Sequence, residues 1–85
     1  MRPFDIILRP WSTEKALEAR SQLNRLEFIV RMAATKAQIR RAVESLLDVN
    51  VDKVNTRITQ HGKHASVLLA EGNSADEAAM RLGMF

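Results

Sequence analysis

The chain has no cysteine and no tyrosine. Without thiols there is no disulfide framework, no thiolate metal site and no cysteine nucleophile, and a reducing compartment fits. Its three glycines, Gly62, Gly72 and Gly83, are far apart, which excludes a glycine-rich loop wrapped around a phosphate. The aromatic residues are Phe4, Trp11, Phe28 and Phe85. That is too sparse a set for an RNA-recognition sheet that displays two or three stacking rings on neighbouring strands. Near the N-terminus the apolar run is only Ile6-Ile7-Leu8, too short for a signal peptide or a membrane span, so the expected compartment is the cytoplasm. There is no low-complexity stretch, linker or internal repeat. The expectation is one domain over residues 1–85, with a modest core and a fold that gains from assembly into something larger.

What the chain does have is basic charge, unevenly spread. Net charge is +3. Residues 1–64 hold 12 Lys and Arg against 7 Asp and Glu, whereas residues 65–85 hold 1 against 3. One basic side facing an anionic partner would produce this asymmetry; an ordinary solvated surface is the plainer alternative.

The organising stretch is Thr35 to Thr59. Ile39, Ala42, Val43, Leu46 and Leu47 recur at helical period and make one apolar stripe. Thr35 and Gln38 fit a capping box at its start. Lys36, Arg40 and Arg41 lie on the other face, with Glu44 four residues after Arg40 and able to pair with it. A strand follows, in which Val54, Thr56 and Ile58 alternate with Lys53, Asn55, Arg57 and Thr59. Its polar side presents two cations, an amide and a hydroxyl, with successive side chains about 6.6 Å apart, close to the phosphate spacing of a nucleic-acid strand. Val49 and Val51 have the opposite parity to Val54, which predicts a bend or bulge near Asp52.

Before this stretch, Arg2 to Pro10 reads as a short edge strand bounded by Pro3 and Pro10. Ser12 or Thr13 caps a largely exposed helix through about Gln22, with Glu14 in its first turn. Leu26, Phe28, Val30 and Met32 then share one face of a strand, and Phe28 reads as core. Trp11, just before the first helix, is either a hydrophobic lid or an exposed contact. After the stretch, His61-Gly62 fits a two-residue hairpin turn that would set Ile58 opposite Ala65, Thr56 opposite Val67 and Val54 opposite Leu69. Ser74 and Glu77 suggest another capping box, opening a helix with Ala75, Ala78, Ala79 and Leu82 inward and Gly83 as its stop. The expected fold is α+β: a small sandwich of about four strands in an antiparallel or mixed sheet with three helices, in the order strand, helix, strand, helix, strand, strand, helix.

The search for reactive chemistry returns little. His61 and His64 have no third metal ligand beside them, and a solvated turn or a phosphate contact explains them better. The serines fall in caps, helix surfaces or strands, and no serine sits in a nucleophile elbow. No acid/base pair can be assembled, so no enzyme, cofactor or metal is expected. Arg9, Lys36, Arg40, Arg41, Lys53, Asn55, Arg57, Lys63 and His64 are the candidate RNA-binding residues, acting through phosphates and 2′-hydroxyls rather than stacked bases.

These residues also carry a family resemblance. Ile7, Leu8 and Pro10, followed by Thr13-Glu14-Lys15, then Asn24, Phe28 and Val30, then Ala34-Thr35-Lys36 with Ile39, Arg40, Ala42, Val43 and Glu44, and last Val49, Val51 and Val54-Asn55-Thr56, occur in the order and spacing of one family. The chain resembles the L-twenty-three family of large-subunit ribosomal proteins almost end to end. Its ending, Arg81-Leu82-Gly83-Met84-Phe85, is similar to archaeal members. The resemblance implies binding to large-subunit ribosomal RNA near the nascent-chain tunnel exit, beside neighbouring ribosomal proteins. It also implies a docking surface at Thr13, Glu14 and Lys15 for factors such as trigger factor in bacteria, the signal recognition particle and the translocation channel. It implies no small-molecule substrate. Bacterial members carry a long basic loop between the last two strands, and the short hairpin here departs from that. The competing reading, from the residues alone, is a small regulatory or ligand-binding α+β domain that pairs through its sheet edges.

Overall fold

The structure is a computed structural model, and it describes residues 2–83. Met84 and Phe85, the last two residues of the archaeal-like ending, lie outside the described residues. Eight elements follow one another: α1 (Pro3–Ile6), β1 (Ile7–Pro10), α2 (Glu14–Leu23), β2 (Arg25–Val30), α3 (Lys36–Leu47), β3 (Val51–Thr59), β4 (Gly62–Leu69) and α4 (Ala75–Arg81). The strands form one antiparallel sheet in the order β1-β2-β4-β3. Apart from the single turn α1, this is the α+β order expected, with an antiparallel sheet.

Helix α3 starts where its cap predicts. Thr35 Oγ1 accepts the Gln38 amide at 3.1 Å, and the Thr35 amide donates to Gln38 Oε1 at 3.0 Å. Ile39, Ala42, Val43 and Leu47 are buried against the sheet, with Leu46 packed beside them. Glu44 does not pair with Arg40. Its Oε2 accepts the Val51 amide at 3.0 Å, while Arg40 Nη2 donates to the Asp52 carbonyl at 2.6 Å. Both side chains reach the first residues of β3, where free backbone groups compete successfully with an exposed intrahelical ion pair worth only a few tenths of a kcal/mol.

The ladder of β3 with β4 breaks register between Val51 and Lys53, at the expected place. The irregularity brings Val49, Val51 and Val54 all inward despite their opposed parity. On the core side they meet Leu26, Phe28 and Val30 of β2 and Ala65, Val67 and Leu69 of β4.

Four local expectations are corrected. Residues 3–6 form a helical turn and only Ile7–Pro10 is strand. Pro3 supplies a helical φ at the first position, and Asp5 Oδ2 accepts the Arg2 amide at 3.2 Å. The switch from helix to strand lets the consecutive Ile6 and Ile7 both be buried, which a continuous strand could not do. Strand β2 ends at Val30, because the Arg31 amide donates to Ile6 O and the chain turns; Met32 is exposed. The hairpin turn is Gln60-His61, with Thr59 opposite Gly62 and Ile58 opposite Lys63, two residues away from the expected register. A turn at His61-Gly62 would need a positive φ at His61; instead Gly62 takes it, at 116°. A two-residue slip preserves which side chains share a face, so alternation alone could not separate the two registers. Finally, Ile58 lies on the helix side but is 68% exposed, beyond the reach of α3.

Helix α2 buries none of its residues, as expected, and is held by its ends. Thr13 rather than Ser12 caps it, accepting the Ala16 amide at 3.1 Å. Asn24 ends it in the left-handed region, φ 56°. Its side chain accepts from the Ala75 amide at 2.7 Å and donates to Asn73 O at 2.8 Å, so the end of α2 is tied to the start of α4. Arg20 and Asp76 add an ion pair at 2.9 Å. In α4 the Ser74 hydroxyl accepts the Glu77 amide, but Glu77 turns to Arg81 instead of closing the box.

Phe28 is 1% exposed at the centre of the core. Phe28→Ala should cost about 3–5 kcal/mol in urea unfolding, whereas Leu23→Ala, at an exposed site of α2, should cost under about 1 kcal/mol.

Candidate nucleic-acid interface

Helices α1, α3 and α4 occupy one side of the sheet, so period-two alternation sends the complementary residues of β2, β4 and β3 to the other side. The registers align Glu27, Ser66 and Asn55 in one row and Ile29, His64 and Arg57 in the next. Lys53 and Thr59 extend β3 at either end of this open face. Asn55 and Lys53 are exposed, and the Arg57 side chain is half exposed.

At the β1 end the chain turns across this face. The Trp11 amide donates to Glu27 O at 2.9 Å, which fixes the start of the crossing. The indole centroid lies 4.9 Å from both histidine rings, edge-on to His64 and tilted to His61, and the Arg9 guanidinium sits 5.5 Å from the ring centroid. Trp11 is half-buried and covers His64, which is 2% exposed. The lid reading of Trp11 therefore holds, and the half-buried ring also lines a groove beside α2. His64 Nε2 lies 2.6 Å from Thr59 Oγ1, and its Nδ1 has no partner among the described residues. Burial lowers its pKa, and the neighbouring Arg57, His61 and Arg9 lower it further against an opposing pull from Glu27. The ring is neutral at pH 7.

The second basic cluster lies where α3 meets the β3 edge. A groove of about 580 Å³ is lined there by Lys36, Arg40, Arg41, Glu44, Asp52 and Lys53. Among the described residues the ion pairs are Arg20–Asp76, Arg57–Glu27 and Arg81–Glu77. Lys36, Arg41 and Lys53 are exposed and outside all three, and Arg40 spends one donor on the Asp52 carbonyl. Lys53 joins the two clusters into one arc that runs from α3 over the β3 edge to Asn55 and Arg57.

The structure thus groups Lys36, Arg40, Arg41, Lys53, Asn55 and Arg57, and places Arg9 at the far end of the open face beside Trp11. It gives two expected contacts other work. His64 is closed to solvent beside Trp11, with its Nε2 engaged by the Thr59 hydroxyl. Lys63 points to the helix side, where its ammonium donates to Met32 O at 3.2 Å and Ala34 O at 2.7 Å, stabilising the turn before α3. Thr13, Glu14 and Lys15 are exposed at the start of α2, with the Thr13 hydroxyl engaged in the cap. Sequence reasoning passed over Glu27. Alternation put it on the outer face of β2, but only the fold sets this carboxylate among cations, 3.4 Å from Arg57 Nη1. No cluster of three or more His, Asp or Glu able to hold a metal occurs among the described residues, and no described helix is long and apolar enough to cross a membrane.

Comparison with known proteins adds an independent line. The family model described as ribosomal protein L23 matches residues 5–77. The chain is similar to the large ribosomal subunit protein uL23 of Methanothermobacter thermautotrophicus, at 42% identity, and to that of Methanosphaera stadtmanae, at 38%, in each case over 100% of both chains.

The buried, neutral His64 makes a directional prediction. Its folded pKa lies below the unfolded value of 6.5, so the unfolded chain binds the extra proton more readily. Its contribution is complete above pH 6.5 and declines as pH falls toward the lowered folded value. His64→Gln should therefore flatten the acid side of the stability curve, measured by urea unfolding at several pH values; an unchanged slope below pH 6.5 would contradict this.

Proposed function

Because the chain belongs to the ribosomal protein L23 family, structural proteins of the large ribosomal subunit rather than enzymes, we propose that its basic arc binds large-subunit ribosomal RNA in the cytoplasmic ribosome. The observation that carries this reading is the row of exposed cations Lys36, Arg41 and Lys53, continued by Arg57, which the fold leaves facing outward along one edge. Counterion release from phosphates supplies most of the affinity of such a surface, and backbone contacts fix its register. The sheet edges argue against the alternative of a domain that pairs through them. Strand β3 carries its bulge and its cations at the edge, and β1 is short, irregular and closed by Pro10, all features that disfavour strand addition.

The finer proposal concerns position and partners. The family resemblance supports a place near the nascent-chain tunnel exit, with Thr13, Glu14 and Lys15 offered to the signal recognition particle and the translocation channel. Helix α2 suits this role because none of its residues is buried and Asn24 ties its C-terminal end to the start of α4, leaving its outer surface available. The two-residue turn at Gln60-His61 is too short to reach into the tunnel as the long basic loop of bacterial members does.

Arg41→Ala and Lys53→Ala should each weaken RNA binding and reduce the slope of log affinity against log salt by about one unit of charge, measured by titration over a salt series. Unchanged slopes in both would remove the arc from the interface. Glu14→Lys should reduce binding of the signal recognition particle to ribosomes carrying the variant while leaving subunit assembly intact; undiminished binding would remove Glu14 from the docking surface.

A further inference from the structure

A groove of about 620 Å³ runs between α2 and the open sheet face, lined by Trp11, Lys15, Ala16, Ala19, Glu27 and Arg57 among others. Two of its features are costly if phosphate contact is all this face does. The Glu27 side chain is 11% exposed, and its Oε2 is buried with no hydrogen-bond partner among the described residues. Leaving a buried carboxylate oxygen unsatisfied costs free energy. A carboxylate is also repulsive toward phosphate, yet it sits among the cations of the open face. Its Oε1 is held only loosely, by Arg57 Nη1 at 3.4 Å. The carboxylate therefore has one oxygen buried without a partner and the other weakly engaged, and a turn of the side chain toward the groove is needed before it can offer both.

The walls have a shape that goes with this floor. On one side stands the Trp11 indole, with His64 edge-on to it, His61 tilted against it and the Arg9 guanidinium over its ring. On the other, Ala16 and Ala19 are three apart on α2 and keep the helix wall low. Lys15 and Arg57 bring positive charge to the rim, with Glu18 beside them.

We propose that this groove takes a single guanine base extruded from the RNA, stacked on Trp11 with its N1–H and N2–H donors on the Glu27 carboxylate. The proposal rests on the RNA-binding reading of the open face. Guanine is the base whose Watson–Crick edge offers two adjacent donors. Adenine and cytosine set an acceptor nitrogen beside their one amino group, and uracil flanks its single N–H with carbonyls. Each of those would bring an acceptor against a carboxylate oxygen. Aromatic stacking and edge recognition of unpaired bases is the usual means of sequence-specific RNA contact. When guanine takes the carboxylate, the half-exposed Arg57 is released from its long contact and is free to reach the phosphate of the same nucleotide.

Trp11 is the sole tryptophan, so its fluorescence reports stacking directly. The test uses the full chain and end-labelled RNA hairpins that share one stem and differ only in carrying a bulged guanine, a bulged adenine or no bulge. Anisotropy of the label follows binding independently of the indole. The bulged-guanine hairpin should quench Trp11 and bind about tenfold tighter than the other two. Glu27→Gln should bring guanine and adenine to within about twofold of each other while leaving the unbulged hairpin unaffected. Equal, salt-sensitive binding of all three hairpins to the unaltered chain, without quenching, would overturn the guanine site and leave the phosphate-binding arc standing. Absence of binding to every hairpin would overturn both.

Discussion

Packing of the α3 stripe onto one face of the sheet is the constraint from which the rest of the structure follows. Ile39, Ala42, Val43 and Leu47 are buried there with the inward residues of β2, β3 and β4. Burial at about 25 cal/mol per Å² of apolar surface makes this the dominant favourable contribution. Once that face is taken, period-two alternation leaves the other face uncovered by any of the three helices α1, α3 and α4. The exposed flank of α3 and the outward side of β3 are then fixed relative to each other, because Glu44 and Arg40 bind the first residues of β3. The basic arc is thus a geometric consequence of how the core closes.

The parts of the fold set by one long-range rule were legible in the sequence. The helical stripe of α3, its Thr35 cap and the break near Asp52 all follow from periodicity or capping chemistry, and all are present. The parts that depend on a local contest were less so. Residues 3–6 turn helical because two adjacent isoleucines both need burial. The hairpin slips by two because Gly62, and not His61, takes the positive φ. Glu44 prefers a free β3 amide to a neighbouring arginine on its own helix. The hairpin slip and the Glu44 contact leave unchanged which side chains share a face, and the turn at residues 3–6 is confined to the edge of the sheet, which is why the topology survives each of them.

The surface residues follow the same division. Lys36, Arg40, Arg41, Lys53, Asn55 and Arg57 come together because helix and strand periods place them. His64 and Lys63 depart from the expected role for reasons invisible at the level of charge. One is roofed over by Trp11 and held neutral, and the other spends its ammonium on two carbonyls. Glu27 is the converse case, an acidic residue that pattern reading assigns to solvent and the fold sets into the basic face. Charge counting along the chain therefore overstates the number of cations free to meet an anion. It also misses Glu27, a carboxylate set among those cations.

The proposed surface recognises large-subunit ribosomal RNA in particular, beyond the attraction of a basic patch. The most direct measurement is competition between large-subunit ribosomal RNA and unrelated RNA of equal length, from low to physiological salt. Nonspecific counterion release weakens both alike as salt rises. A preference for the ribosomal RNA that persists at physiological salt is the predicted result. Equal binding that fades in parallel for the two RNAs would contradict the account.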